Sequence, residues 1–438
     1  MNQPTPARFE YVGYGELLRT FGHVGLVSFG GPAGQIALMH RVIVDDKGWL
    51  EEKRFLHALN FCMLLPGPEA MQLATYCGWL LRGVPGGLLA GSLFVLPGFI
   101  VMLVLSALYV TFGDVPLVAG LLFGLKAAVL AIVLQALLRV SARALKGGAA
   151  IAMAVAAFAA LAVLKLPFPL VIAAAALTGL LFPGAFGQGD AGKIEDRPGG
   201  RPWRHLAGVA AGTIAFWMGP VALLIAALGP GHVYSKIALF FSKTAVVTFG
   251  GAYAVLSYVG QQAVETYRWL TPEEMLTGLG LAETTPGPLI LVLVFTGFAG
   301  AFRDAGGLDP LLSGMVGAMI TLWVTFIPCF IWIFAGAPYV ETLRGNRKPA
   351  SAFAAITAAV VGVIANLSLW FALHVLFAEV GVARIGPLQI WQPEMTGFDW
   401  VAGAIAFAAG ILLWRGAGLF TVLGLAVVAG VLARLSGL

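Results

Sequence analysis

Two carboxylates stand beside the same unusual tripeptide in otherwise apolar sequence. Glu69 directly follows Pro66-Gly67-Pro68, and Glu283 precedes Pro286-Gly287-Pro288 by three residues. An ionisable group at the centre of a membrane helix disfavours insertion by roughly 2.5–3.5 kcal/mol, so such groups are retained mainly where they move protons, ions or substrate. A carboxylate that is protonated while an anion is present and ionised when it is absent couples protons to transport. Glu69 and Glu283 are therefore the proton-coupling candidates; capping a broken helix or pairing with a lysine is the structural alternative. The basic candidates in or near apolar stretches are His23, Lys126 and Lys243, read as charge partners that attract an anion or answer a carboxylate, with Lys243 matching His23 at an offset of 220 (243 − 23). A lysine near a helix end also snorkels to the interface.

The anion itself would be held by backbone. Phe29-Gly30-Gly31 recurs as Phe249-Gly250-Gly251 and the Pro-Gly-Pro element recurs at the same offset of 220, as does Trp49-Leu50 in Trp269-Leu270. This is a duplication, and glycine and proline in long apolar stretches imply a broken helix in each copy. A half-helix that stops at midplane leaves free N–H groups and a positive dipole end that hold an anion without importing a full charge into lipid. In Pro66-Gly67-Pro68 two missing donors and a flexible glycine free carbonyls near Asn60, Leu64 and Leu65. Thr284 and Thr285, before Pro286, can recap the broken helix or touch a substrate. Ser28 and Thr248 match in register, and a hydroxyl before a diglycine can donate to an oxyanion that approaches the backbone closely. Gln35, Gln72, Thr75, Tyr76, Tyr253 and Ser257 complete the polar surroundings of these breaks. A proline kink or a surface loop, and a diglycine that lets helices cross tightly, are the readings without a ligand.

The elements that must position these residues are helices in a bilayer. Of 438 residues, 59% are hydrophobic and 11% charged, with a mean hydropathy of +0.91, whereas soluble domains are about 25% charged. Runs such as Gly83 to Phe112, Leu117 to Val140 and Leu311 to Ala335 exceed the roughly 20 residues needed to cross a hydrocarbon core. No sustained alternation of the barrel kind is present. The fold class is an all-α polytopic membrane protein.

Apolar stretches number six in the first half, about Tyr14 to Val44, Phe55 to Leu81, Val84 to Phe112, Leu117 to Val140, Ala149 to Leu164 and Leu166 to Phe182. Six counterparts follow in the second half, after a polar segment from Gly184 to Arg204 and one extra apolar stretch from Leu206 to Leu228. The expected division is a first repeat at residues 1–183, a linker plus connecting helix at 184–233 and a second repeat at 234–438. An even number of spans plus one extra helix makes the second copy enter from the opposite face, an inverted-topology repeat. If Phe29-Gly30-Gly31 dips in and returns, the count and orientation change, so about 10–13 membrane helices are expected.

Loop charges place the amino terminus inside, with Arg139, Arg143, Lys146, Lys193, Arg197, Arg201, Arg204, Arg344, Arg347 and Lys348 cytoplasmic. Arg41, Lys47, Lys53 and Arg54 cluster after the first stretch and break this rule. The net charge of +5 is scattered through loops without a dense stripe, so nucleic acid is not an expected partner. Cys62, Cys77 and Cys329 lack paired spacing and read as packing residues. Met1 to Glu10 is polar, and no secretory signal is expected ahead of the first stretch. Gly187-Gln188-Gly189-Asp190 matches a protease GxGD pattern in a hydrophilic loop without a partner aspartate, and Asn366-Leu367-Ser368 is a glycosylation sequon in an apolar stretch; both are set aside.

The strings FGGPAGQIALMHR, LPGPEAMQLATYCGW, FGGAYAVLSYV and WLTPEEMLTGLGLAETTPGPLILVLVFTGF closely resemble the chromate ion transporter family in its long, two-domain form. The resemblance covers nearly the whole chain. It implies a multi-pass protein of the bacterial inner membrane that carries chromate out of the cytoplasm, with sulfate as the analogue and the proton motive force as the energy source. The family motifs fall on Phe29, Gly30, Gly31 and Pro32, on Pro66, Gly67, Pro68, Glu69 and Gln72, on Phe249, Gly250, Gly251 and Tyr253, and on Glu283, Thr284, Thr285, Pro286, Gly287 and Pro288. Many relatives have histidine where Gln35 stands and proline where Ser257 stands.

The expected function is secondary active transport of a tetrahedral divalent oxyanion, chromate exported in exchange for protons; sulfate as cargo and a passive anion channel are the alternatives. No GxxxxGK[ST] loop, HExxH or GxSxG is present, and the histidines show no ligand spacing. No enzyme activity, cofactor or metal is expected. The partners are the oxyanion, protons and lipid, with a homodimer left open.

Overall fold

The computed structural model describes residues 12–63, 65–186, 203–249, 252–336, 347–386 and 388–436. The chain begins with α1 (Tyr14–Val27), α2 (Gly31–His40, continued by a π turn at Arg41–Asp46), α3 (Glu52–Cys62) and α4 (Glu69–Phe112). α1 stops where Gly30 and Gly31 take φ of +84° and +73°, which an L side chain resists. The chain then reverses: Lys47 Nζ, just past the π turn, lies 2.9 Å from Glu16 Oε1 in the first turn of α1. His40 Nε2 lies 2.5 Å from Glu52 Oε2 at the start of α3.

α4 is two arms, separated by non-helical Arg82 and Gly83. Gly78 abuts the Gly86 carbonyl, a closeness no side chain permits, and Thr75 Oγ1 faces Gly91, so the arms lie antiparallel. The first arm ends with the Arg82 guanidinium 4.1 Å from the Tyr14 ring. α1–α2 and α3–first arm are thus two hairpins opening on one face, the near face. The second arm leaves that face, passes Pro286 and Gly287 at Phe94 and Gly98, and ends with Tyr109 Oη 3.4 Å from Glu274 Oε1 on the far face.

α5 (Pro116–Ala144), α6 (Gly148–Ala162), α7 (Phe168–Leu181) and α8 (Trp203–Leu228) follow, then α9 (Val233–Val247), α10 (Ala252–Gln261, continued by a π turn at Gln262–Thr266), α11 (Pro272–Glu283) and α12 (Val292–Arg303). The last four open on the far face. Arg303 at the end of α12 bonds the Glu274 carboxylate and the Trp269 carbonyl, and a reciprocal Thr271–Glu274 capping box starts α11 there. Near the start of α9, Tyr234 Oη lies 2.8 Å from Ser313 Oγ, which donates to the Ala301 carbonyl at 2.8 Å.

Local structure repeats with the 220-residue offset. α1 and α9 end at Ser28 (φ −78°, ψ 84°) and Thr248 (φ −78°, ψ 86°). The π turns close with Lys47 donating to Val42 and Tyr267 to Gln262, and Trp49 donates to Ile43 as Trp269 does to Ala263.

The rest is α13 (Pro310–Gly336), α14 (Arg347–Leu376), the antiparallel hairpin of β1 (Val380–Ile385) and β2 (Leu388–Pro393), α15 (Trp400–Trp414) and α16 (Leu419–Leu435). The helical, polytopic expectation holds, with this one hairpin added among the described residues. Among the described residues, five helices are long and apolar enough to cross a membrane, namely α4, α5, α8, α13 and α14. Large apolar side chains such as Leu138, Phe407 and Trp414 stay exposed, as a lipid-facing surface requires.

The structure changes how the first two apolar stretches of each half are read. Tyr14 to Val44 and Phe55 to Leu81 do not run through as single spans; each folds back at its glycine–proline break. The reversal returns Arg41, Lys47, Lys53 and Arg54 to the face of Tyr14 and Arg82, where the carboxyl end of α5 carries Arg139 and Arg143. Lys193, Arg197, Arg201, Arg344 and the Gly187–Asp190 pattern lie outside the described residues.

Candidate functional site

The four breaks meet one another. Gly287 N–H donates to the Ser28 carbonyl and Gly67 N–H to the Thr248 carbonyl, each at 2.8 Å. Gln35 Nε2 donates to the Gly287 carbonyl at 2.6 Å, and Gln72 Nε2 to the Pro66 carbonyl at 2.7 Å. Two glutamines thereby satisfy carbonyls that proline and glycine release from helical bonding.

Beside this junction a cavity of about 430 Å³ opens, lined by Gly30, Gly31, Pro32 and Ala33 at the start of α2, by Glu69, and by Tyr253 and Glu283. α5 contributes Gln135, Arg139 and Arg143. Glu283 is only 5% exposed, and Tyr253 Oη donates to its Oε1 at 2.5 Å. Glu69 Oε2 is buried without a hydrogen-bond partner. Arg139 and Arg143 are exposed, one helical turn apart, and the field of Arg139 reaches the Glu283–Tyr253 pair. The first N–H groups of a helix have no partner within it, so the start of α2 offers donors and a positive dipole end to the same space as two guanidinium groups. Such a set suits a small oxyanion.

Of the residues expected at the site, Gly30, Gly31, Pro32, Glu69, Tyr253 and Glu283 line this cavity. Ser28, Pro66, Gly67, Pro68, Gln72, Pro286, Gly287 and Pro288 build the junction beneath it. Phe29 and Phe249 turn away, onto Phe420 (ring centroids 4.9 Å) and Phe353 (6.3 Å). The hydroxyls of Thr248, Thr284 and Thr285 donate to carbonyls within their own segments, at 2.6, 2.8 and 2.7 Å. These threonines recap broken helices. Gly250 and Gly251 lie outside the described residues.

The three basic charge partners are placed elsewhere. His23 and Lys243 are exposed on α1 and α9, the latter with its ammonium 5.9 Å from the Tyr258 ring. Lys126 lines cavities on the far face. Gln135, Arg139 and Arg143 also line the cavity, although in the sequence the two arginines read only as orienting charges. Their signal was a pair of arginines four apart, closing the apolar run of α5. Asn366, in the discarded sequon, is partly buried with Nδ2 3.4 Å from Ser257 Oγ.

The model of the family described as chromate transporter matches residues 15–180 and 235–432. The chain is 29% identical to a chromate transport protein of Pseudomonas aeruginosa over 90% of its own length and 86% of the relative's. It is 26% identical to a chromate transport protein of Cupriavidus metallidurans, covering 80% of both chains, and 25% identical to an uncharacterised transporter of Methanocaldococcus jannaschii, covering 82% and 84%. No solved structure matches the chain at a significant level. With both matched segments spanning the helices that build the cavity, this multi-pass membrane protein belongs to the chromate transporter family.

Proposed function

We propose that the chain exports chromate across the bacterial inner membrane, binding the dianion in the near-face cavity, with the two halves acting as an inverted-topology repeat. The observation that carries this is the convergence of the α2 amino terminus, Arg139, Arg143, Glu69 and Glu283 on one cavity. The family supports chromate as cargo. The matched segments begin 220 residues apart (235 − 15), and the hairpins of the two halves open on opposite faces, which supports inversion. The basic residues Arg41, Lys47, Lys53, Arg54, Arg139 and Arg143 toward the near face support reading it as the cytoplasmic one.

Charge balance in the cavity supports one mode of coupling. With both carboxyls neutral, Arg139 and Arg143 present two positive charges to a dianion; with both ionised, the cavity is balanced and the anion is repelled. Protons therefore travel with the anion, whereas the exchange expected from sequence needs the opposite occupancy. Inside-out vesicles with labelled chromate, competing sulfate and a clamped membrane potential test this. Uptake driven by acid on the cytoplasmic side supports co-movement, uptake driven by acid in the lumen supports exchange, and no uphill uptake under either gradient indicates a passive channel.

A further inference from the structure

Trp400 and Trp414 open and close α15, and they are 79% and 87% exposed. Phe407 stands halfway between them, 73% exposed, and at a spacing of two helical turns the three rings share one face. α15 runs from one face of the fold to the other. Asp399 and Ala402 line a far-face cavity of about 530 Å³, whereas Leu413, Gly416 and Ala417 line the near cavity. Charged residues bound the apolar segment on both sides, Asp399 before it and Arg415 after it, with none between. At 1.5 Å per residue the two tryptophans are about 21 Å apart. A hydrocarbon core is about 30 Å thick.

The neighbouring helices agree with this short measure. α15 and α16 both pack against α5. On α5, Lys126 lines the far cavity and Arg139 the near one, about 20 Å apart along the axis. On α16, Arg434 lines the far cavity and Leu419 the near one, about 23 Å apart. Tilt shortens each of these projections further. Elsewhere the fold is longer: α13 has 27 residues and the second arm of α4 runs from Val84 to Phe112, neither with a charged side chain, lengths of about 39 and 42 Å.

A short span is accommodated by snorkelling side chains, by a thinner bilayer or by association with another copy. Snorkelling does not serve at the far end, where the short Asp399 side chain caps α15 by accepting from the Ala402 N–H at 2.8 Å. Indole rings settle at the headgroup level. Exposed Leu425, Val428 and Leu432 continue the apolar surface onto α16. An aliphatic surface with a tryptophan at each margin fits lipid.

We propose that the flank built by α15 and α16 on α5 holds the adjoining bilayer at a hydrocarbon thickness of about 20–25 Å, so that the near and far cavities meet water closer together than an undeformed membrane allows. The inference goes beyond the ligand of the near cavity and holds whatever occupies it. The test places single cysteines in the full-length chain, whose native cysteines are buried. Ala404→Cys, Phe407→Cys and Ile411→Cys report α15 with both tryptophans retained, and Ile100→Cys reports the second arm of α4. Each carries a nitroxide in dioleoylphosphatidylcholine vesicles, and its depth is read from collisions with oxygen and with a water-soluble nickel chelate. Phe407→Cys is expected deepest on α15, about 10 Å below the headgroups, with Ile100→Cys at about 15 Å. From myristoleoyl to erucoyl chains, the depth at Phe407→Cys stays within about 2 Å while that at Ile100→Cys increases. A depth of about 15 Å at Phe407→Cys, or one that grows with chain length as at Ile100→Cys, overturns the proposal. So does a label at Phe407→Cys shielded from both collision partners, the result if a second copy of the chain covers α15.

Discussion

The backbone amide of Gly287 is held by the carbonyl of Ser28, and the mirror contact, Gly67 to Thr248, has the same length of 2.8 Å. Each half therefore closes its Pro-Gly-Pro loop on the broken helix of the other. The two halves have no independent core at this depth, and a change on one side of the junction is felt on both.

Gly67 and Gly287 have φ of +120° and +91°, a region in which a side chain costs about 1–3 kcal/mol. Gly67→Ala should be the worse of the two, because its Cβ would also stand 2.8 Å from Gln72 Nε2 and 2.9 Å from Cys329 Sγ. Thermal unfolding in detergent is expected to show a lower midpoint for both variants, with Gly67→Ala lowest; an unchanged midpoint in either would contradict the junction.

Arg139→Gln and Arg143→Gln each remove a charge-assisted donor from the cavity, an interaction of about 1.5–3 kcal/mol. Chromate affinity at the near face should fall at least tenfold in each, with normal expression and unfolding behaviour. Equilibrium binding to purified protein measures this, and wild-type affinity in both variants would remove the arginines from the site.

Glu283→Gln keeps the acceptor for Tyr253 but cannot ionise. Chromate–chromate exchange across vesicles should persist while the response to an imposed pH gradient is lost. A gradient response equal to wild type in both Glu283→Gln and Glu69→Gln would place proton coupling elsewhere.

His40, at the near-face surface, is raised above its ordinary value of 6.5 by its hydrogen bond to Glu52, with the charges of Glu52 and Asp45 adding to the effect and partial burial opposing it. A raised folded value means the stabilisation is complete below 6.5 and fades as pH rises through the higher folded value. His40→Gln should flatten that part of the pH–stability profile, read by hydrogen exchange of the α1–α2 hairpin on either side of neutrality. Parallel profiles for variant and wild type would show that the pair contributes nothing.

Lys53 and Glu379 are both exposed, one after the first hairpin and the other beside the β hairpin. Lys53→Cys should label with impermeant maleimide only from the cytoplasmic side, and Glu379→Cys only from the opposite side. Labelling of both from one side would exclude the proposed inversion.

The sequence by itself determined the membrane class, the helical content, the 220-residue offset and the positions of the four breaks. These are local properties: hydropathy sets whether a segment enters lipid, and glycine or proline sets where a helix cannot continue. Tertiary structure alone decided what the chain does after each break. A helix end at Ser28 is compatible with crossing or returning, and the return is fixed by Lys47 meeting Glu16 and Arg82 meeting Tyr14, contacts between residues 31 and 68 positions apart (47 − 16 and 82 − 14). The same holds for the site. Arg139 reads in one dimension as a loop charge, and only the packing of α5 against α11, across the cavity from the α2 amino terminus, brings it toward the buried carboxyl of Glu283.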